Sequence, residues 1–216
     1  MDSIQKQLEE YKKNAICPDH MDEILNYMLE NLGCTDGYLR DEVIYEAFCI
    51  MLEQNHISKE QIKRITFTLI EHPYLFYRIQ ETSDSAVIKR SFSVLFLAAI
   101  LEFEQDKLLF SQDEYDKIVT AILSYFSTEK DYRGYVPEYG WLHAIAHSSD
   151  ALTEIMKNHR TNEDTATQIL RLLPEKICQG NYVFTDREYF RMGRVILAFL
   201  QNQRYDKKYI TSFIEG

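Results

Sequence analysis

The spacing of apolar residues restricts how this chain can fold more than any other feature, because it follows the period of an α-helix nearly throughout. Between Val43 and Leu52, apolar residues fall at i, i+1, i+4, i+5, i+8 and i+9, which places them on one helix face. The same spacing recurs in the segments 21–29, 62–70, 115–126 and 195–200. No segment shows the alternation of a convincing strand. Because glycine and proline, which favour turns, supply only 7 and 4 of the 216 residues, we predict an all-α protein.

Helix start signals divide the chain into hairpins. A Ser or Thr that accepts a hydrogen bond from a helix N–H, with Glu or Gln three residues later, forms a capping box. Ser58 and Ser111 fit this pattern, and Thr161, with an acidic residue at the third place, is a weaker version. Each follows a longer apolar helix and a short loop, so three helical hairpins are predicted. A fourth is predicted to run from Arg187 to Ile214.

The spacing of these hairpins indicates a repeating architecture. The three caps lie 53 and 50 residues apart, within the range of helical-hairpin repeats. We expect a single helical domain over residues 1–216, with about nine or ten helices in stacked antiparallel hairpins, a HEAT-like α-α superhelix. A compact bundle without repeats is the alternative. The segment 84–104 is apolar on every side, which is typical of a central helix.

Composition excludes several classes of partner and location. The net charge of −10 and the lack of a basic stripe lead us to expect no nucleic-acid partner. The longest apolar run, Val94–Leu101, is far shorter than a bilayer span, so we expect no membrane partner. Four cysteines without metal-type spacing and an N-terminus without signal-peptide features favour the cytoplasm. No dinucleotide or phosphate-binding glycine motif and no GxSxG occurs, so no cofactor is expected.

One polar segment, residues 129–150, differs from the rest of the chain. It holds the only tryptophan and two of the six histidines. Gly134 and Gly140 indicate a loop, after which a helix is predicted from Gly140 to about Asn158. On that helix His143, His147 and Asp150 share the face opposite the apolar one. These three side chains are therefore candidates for binding one ligand or, more weakly, one metal ion.

A solvated helix face explains the same pattern. Any amphipathic surface helix carries polar residues opposite its apolar stripe, and two histidines four residues apart are a weak zinc signal. The first histidine is not followed by Glu, so the protease motif HExxH is absent. In a stacked helical array, however, such a face also lines the concave surface. The polar stripe is then a ligand groove.

Arg90 lies near the start of the apolar central helix. If this side chain is buried, its charge needs a partner. We expect a carboxylate from Asp131, Glu138 or Asp150 to supply it. Such a pair would join the central helix to the polar segment. Arg90 and these carboxylates are therefore candidate site residues.

Arg133 and Trp141 each have a structural and a functional interpretation. Arg133, two residues after Asp131, is expected to form an ion pair that pins the loop, and its functional alternative is an anion clamp. Trp141 lies on the apolar stripe of the predicted helix. We expect it to be a core anchor rather than a stacking platform. Both remain candidates for ligand binding.

Three motifs together carry a family resemblance. R-S-F-S at 90–93, preceded by Asp84-Ser85, occurs with E-K-D-x-R-G-Y-V at 129–136 and G-W-x-H-A-x-A-H-x-x-D at 140–150. The combination, which covers roughly residues 84–152, resembles the pattern of an uncharacterised bacterial family of unknown function. Ser148-Ser149 departs from it, because a small Gly or Ala is expected there in relatives. The resemblance implies no activity, but it marks these positions as the place to seek a site.

Three functional hypotheses follow. The first is a non-catalytic binding module whose groove, built from Arg90, Arg133, His143, His147 and Asp150, takes a protein segment or a small ligand. The second is a hydrolase in which the histidines and Asp150 hold a metal or act as general base, while Arg133 binds an anionic substrate group. In the third, the motif is only a structural staple.

Overall fold

Helices form nearly all the regular structure of this chain. The computed structural model describes residues 3–71, 73–82, 85–179, 182–208 and 210. The α-helices in these ranges are α1 Ser3–Asn14, α2 Met21–Asn31, α3 Glu46–Glu53, α4 Lys59–Ile70, α5 Ala86–Glu104, α6 Gln112–Thr128, α7 Ala144–Lys157, α8 Glu163–Ile177 and α9 Glu188–Gln201. A π-helical segment, Tyr38–Tyr45, leads directly into α3. The all-α prediction is confirmed.

The chain also forms one short β hairpin, although the sequence predicted no convincing strand. Strand β1, Tyr135–Val136, pairs antiparallel with β2, Gly140–Trp141. Gly140 has φ +74° and His143 has φ +47°, and neither value is compatible with a right-handed helix. The helix predicted from Gly140 therefore begins only at Ala144.

The capping predictions hold at two of three positions. Ser58 and Ser111 each accept a hydrogen bond from the backbone N–H three residues later, and each forms the full capping box. At the third position Asn162, not Thr161, caps α8. Thr161 is buried, and its hydroxyl donates to Ile155 O at 2.6 Å. Because this hydroxyl is engaged with the end of the preceding helix, it does not cap α8.

The helices pack in an alternating order. In the described part of the chain α5 lies along α7 and α7 along α9, while α4, α6 and α8 contact one another in turn. Each of these three also packs on the helix that follows it. Helix α5 is the centre, with 15 of its 19 residues buried, as the sequence predicts for segment 84–104. The HEAT-like superhelix and the single domain stay predictions.

Asp84, which belongs to the motif before α5, lies outside the described residues. The predicted fourth hairpin begins with α9, but its expected end at Ile214 also lies outside them. None of the helices within the described ranges has the length and apolar character needed to cross a membrane.

Candidate functional site

A cavity of about 630 Å³ opens where the π-helical segment, α5, α7 and the start of α9 meet. Four of the eight predicted site residues line it, namely Trp141, His143, His147 and Asp150. The volume falls within the range of small-molecule sites. His143, His147 and Asp150 therefore meet at the wall of one cavity, although His143 precedes α7 and does not lie on the helix face that the sequence predicted.

His147 is fixed in this wall by a chain of hydrogen bonds. The Ser91 hydroxyl donates to Leu142 O, and the same oxygen lies 2.8 Å from His147 Nδ1. A hydroxyl has only one proton to donate, so Nδ1 must be the donor to Ser91 Oγ. Nε2 is then unprotonated and is the ring atom left for the cavity. Burial lowers the pKa of His147 well below 6.5, which keeps the ring neutral.

His143 precedes α7 and faces a buried carboxylate. Its Nε2 is enclosed and has no hydrogen-bond partner within the described residues. Glu188 Oε1, which is also enclosed and unpartnered, lies 3.9 Å from it. Burial is the main cause that lowers the pKa of His143 to about 4, and burial also raises the pKa of Glu188. Two facing polar atoms without partners are unusual inside a protein.

Asp150 is held by two arginines from α9. Arg191 Nη1 pairs with its Oδ2, and Arg194 Nη1 lies 3.3 Å from its Oδ1. Burial raises the pKa of Asp150 to about 6, although both arginines act in the opposite direction. The carboxylate is therefore already engaged and is a poor candidate for a free metal ligand.

Trp141 is not the core anchor that the sequence suggests. Its side chain is 42% exposed and lies against Tyr135, with ring centroids 4.9 Å apart, and against His143, at 4.5 Å. The reason is its place in β2, because the helical stripe that would have buried it begins three residues later. Trp141 therefore forms part of the rim of the cavity.

Arg90 has a buried partner that the sequence analysis did not name. Its Nε and Nη2 bind the two carboxylate oxygens of Glu129 at 2.7 and 3.1 Å, and both side chains are fully buried. The expected partners Asp131, Glu138 and Asp150 are not used. Arg90 does join α5 to the polar segment, but it does not line the cavity. The predicted groove is corrected at this position.

The loop residues also lie away from the cavity. Arg133 binds Asp131 through Nε at 2.9 Å, as expected of a pair that pins the loop, and neither residue lines the cavity. Glu138 is exposed and does not line it either. The predicted groove is therefore corrected at Arg133 as well. A Cβ on Gly134 would collide with the Asp186 carboxylate, so this close approach requires glycine.

Two groups of cavity residues were missed by the sequence analysis. The π-helical segment contributes Asp41 and Tyr45. Arg40, fully buried, binds both oxygens of Asp41 and donates to Tyr139 O and Trp141 O, which ties the segment to the β hairpin. No sequence signal marks a π-helix here, although such segments frequently occur at functional sites.

The start of α9 is the second missed group. Asp186, Arg187 and Arg191 line the cavity, and Arg187 is exposed with φ +71°. The spacing of Arg187, Arg191 and Arg194 at i, i+4 and i+7 is a signal that would have placed three cations on one helix face. In the described part of the chain, no three His, Cys, Asp or Glu side chains are arranged to hold a metal ion.

Comparison with known proteins gives one match. Residues 75–216, about two thirds of the chain, match a family described as a protein of unknown function, DUF2785. No curated protein and no solved structure matches the chain. The matched range contains the whole polar segment and most of the cavity, and it agrees with the expected resemblance to a family of unknown function.

Proposed function

The chain belongs to DUF2785, a family of unknown function, and we propose that it is a non-catalytic binding protein that holds a small ligand in the cavity beside His147. One observation carries the proposal. The hydrogen-bond chain from Leu142 O through Ser91 to His147 fixes a buried imidazole in one tautomer and leaves its Nε2 to the cavity. A polar atom oriented in this way on the wall of a cavity is typical of ligand recognition.

The protonation of the site favours binding over catalysis. A general base works best when its pKa lies near the working pH. Burial lowers the pKa of His143 to about 4 and that of His147 well below 6.5, so both are weak proton acceptors at neutral pH. Ser91 is fully buried and donates its proton to a carbonyl, so it is not an activated nucleophile.

We propose a small ligand rather than a protein segment because the oriented polar atoms lie on the walls of a cavity. We also propose the cytoplasm as the location, since all four cysteines are free and two are exposed. A surface with net charge −10 favours partners other than nucleic acid.

The single tryptophan makes this proposal easy to test. Trp141 lies on the cavity rim, so its fluorescence reports occupation directly. A thermal-shift screen of diverse small molecules is expected to give compounds that raise the melting temperature and change this fluorescence. His147→Phe keeps the ring volume and should weaken their binding about tenfold or more, whereas His159→Phe, in the exposed turn after α7, should not. Compounds that stabilise the protein but leave the Trp141 fluorescence unchanged would contradict the proposal, and so would a screen that finds no binders.

A general-base hydrolase is the second candidate, and the facing pair His143 and Glu188 favours it. A carboxylate that orients an imidazole is the arrangement of hydrolase triads, although the 3.9 Å separation is too long for a hydrogen bond. Turnover of simple ester or phosphate substrates that is lost in Glu188→Gln would support this candidate over the binding protein.

A further inference from the structure

We propose that the ligand of the cavity is a neutral polyhydroxylated molecule of the size of a mono- or disaccharide, with hydroxyls that donate to both imidazoles. This inference rests on the proposed binding function and narrows it to one chemical class. It depends on the protonation of His143, the balance of charge around the cavity, and the exposed indole of Trp141.

The His143 tautomer follows from its surroundings. Nε2 and Glu188 Oε1 face each other at 3.9 Å, and without a proton between them two lone pairs would be opposed in a buried place. Burial raises the pKa of Glu188 above its ordinary value, but the hydrogen bond that its Oε2 accepts from Asp186 N at 3.0 Å opposes this shift, and we take Glu188 as a carboxylate at neutral pH. The proton therefore belongs on Nε2, directed at Glu188. Nδ1 is then the unprotonated nitrogen, and it is the one that can reach the cavity.

Two neutral imidazoles thus present acceptor nitrogens to one space. His147 does so through Nε2 and His143 through Nδ1, with ring centroids 5.7 Å apart. Neither nitrogen can donate in these tautomers. A ligand that satisfies both must bring two donors, and adjacent hydroxyls on a ring are spaced to do so.

The charges around the cavity balance, which argues against a charged ligand. The carboxylates on the wall or directly behind it are Asp41, Asp150, Asp186 and Glu188. The guanidinium groups are Arg40, Arg187, Arg191 and Arg194. The four negative and four positive charges leave no net charge for a ligand to neutralise. An ionic ligand would lose its hydration without gaining a counter-charge.

Trp141 supplies the apolar part of the site. Its indole is 42% exposed on the rim, and its contacts with Tyr135 and His143 hold it in place. A sugar ring has an apolar C–H face and a polar rim of hydroxyls. Such a ring can cover the indole with that face while its hydroxyls reach the imidazoles.

Fluorescence of Trp141 tests the ligand class with matched probes. The neutral probes are D-glucose, D-galactose, maltose and myo-inositol, and the charged counterparts are gluconate and D-glucosamine. At least one neutral probe is expected to give a saturable change, weakened about tenfold in His147→Phe and unchanged in His159→Phe. If only charged probes bind, or if the neutral probes fail while other small molecules bind at Trp141, the ligand class is wrong and the binding function stands. If nothing binds at Trp141, both fail.

The tautomers are measurable without any ligand. Long-range nitrogen–proton NMR spectra of the intact protein are expected to show a proton on Nδ1 of His147 and on Nε2 of His143. In Glu188→Gln the side-chain amide can donate to His143, and the proton of that ring should move to Nδ1. A proton on Nδ1 of His143 in the unaltered protein would remove the second acceptor and overturn the inference.

Discussion

Two neighbouring polar regions of this protein differ in how completely their hydrogen-bonding groups are satisfied. In the first, around Arg90, all five N–H donors of the guanidinium have acceptors, two on Glu129 and three on the carbonyls of residues 77, 78 and 81. In the second, the cavity, enclosed atoms of His143 and Glu188 have no hydrogen-bond partner among the described residues. The Arg90 guanidinium is saturated and has no donor left for a ligand, although the enclosed hydroxyl of the neighbouring Tyr125 also lacks a partner among the described residues. In the cavity, by contrast, His147 engages Ser91 through Nδ1 and keeps Nε2 for a ligand.

This difference divides a single sequence motif into two roles. Arg90 of R-S-F-S belongs to the saturated cluster, but Ser91 orients His147 and Phe92 lines the cavity. The staple hypothesis is thus the interpretation we favour for Arg90 and Glu129, and the site hypothesis the one we favour for Ser91 and His147. Mutations in the two regions should therefore differ in how much stability they cost and in whether they alter the cavity.

The largest effect is expected in the saturated cluster. Glu129→Gln leaves the fully buried charge of Arg90 without its counter-ion, which should lower the free energy of unfolding by about 3–5 kcal/mol. Chemical denaturation measures this loss. Glu138→Gln, an exposed glutamate in the same segment, is the control and should change stability by less than about 0.5 kcal/mol. Equal effects of the two variants would show that the buried ion pair of Arg90 and Glu129 does not stabilise the fold more than an exposed glutamate does.

The cavity should control the acid sensitivity of the protein. His143 has a pKa of about 4 in the folded state, below its ordinary 6.5, so unfolding takes up a proton and stability falls as the pH drops from 6.5 towards 4. The contribution is about 3 kcal/mol at 1.36 kcal/mol per pKa unit. His143→Asn, which tolerates the positive φ, should be less sensitive to acid in denaturation curves across this range.

Asp150 should change the pH dependence of the free energy of unfolding in the direction opposite to His143. Its pKa of about 6 lies above the ordinary 3.8, so the folded state binds the extra proton and its contribution to stability decreases as the pH rises from about 4 to 6. Asp150→Asn should therefore make the loss of stability on acidification steeper. A shallower loss would contradict the burial of this carboxylate in the cavity wall.

A smaller effect is expected at Gly134, which lies against the carboxylates of Asp186 and Glu188 at the cavity. Gly134→Ala places a Cβ against the carboxylate of Asp186 and 2.7 Å from Glu188 Oε1, so these side chains must shift. The cost should be about 1–3 kcal/mol, as for overpacking, with a change in Trp141 fluorescence. Gly193→Ala in α9 meets nothing within 4 Å and should be neutral or slightly stabilising.

The smallest effect on stability is expected at Arg187. This cation is exposed on the cavity rim, so Arg187→Ala should change the free energy of unfolding by less than about 0.5 kcal/mol. Arg171→Ala, also exposed but on α8, is the matched control. A large loss at Arg187 alone would show that the rim is structural and would weaken the contrast with the Arg90 cluster.

Much of the fold and part of the site could be predicted from local sequence. Helical periodicity gave the all-α class and the central helix, and the capping boxes at Ser58 and Ser111 are local interactions within one turn. The proximity of His143, His147 and Asp150 was also recognisable, although His143 precedes α7 instead of lying on it. The exposed position of Trp141 was not, because a two-residue strand pair leaves no periodic signal.

Local interactions along the chain therefore specify the helical elements and the location of the polar segment, since both follow from contacts between near neighbours. Which polar groups are satisfied and which are open depends instead on how distant segments pack together. The deciding partners are distant in sequence: Arg90 and Glu129 are separated by 39 residues, Ser91 and His147 by 56, and Asp150 and Arg191 by 41. No local pattern specifies such pairs, and they are what separates a staple from a binding site.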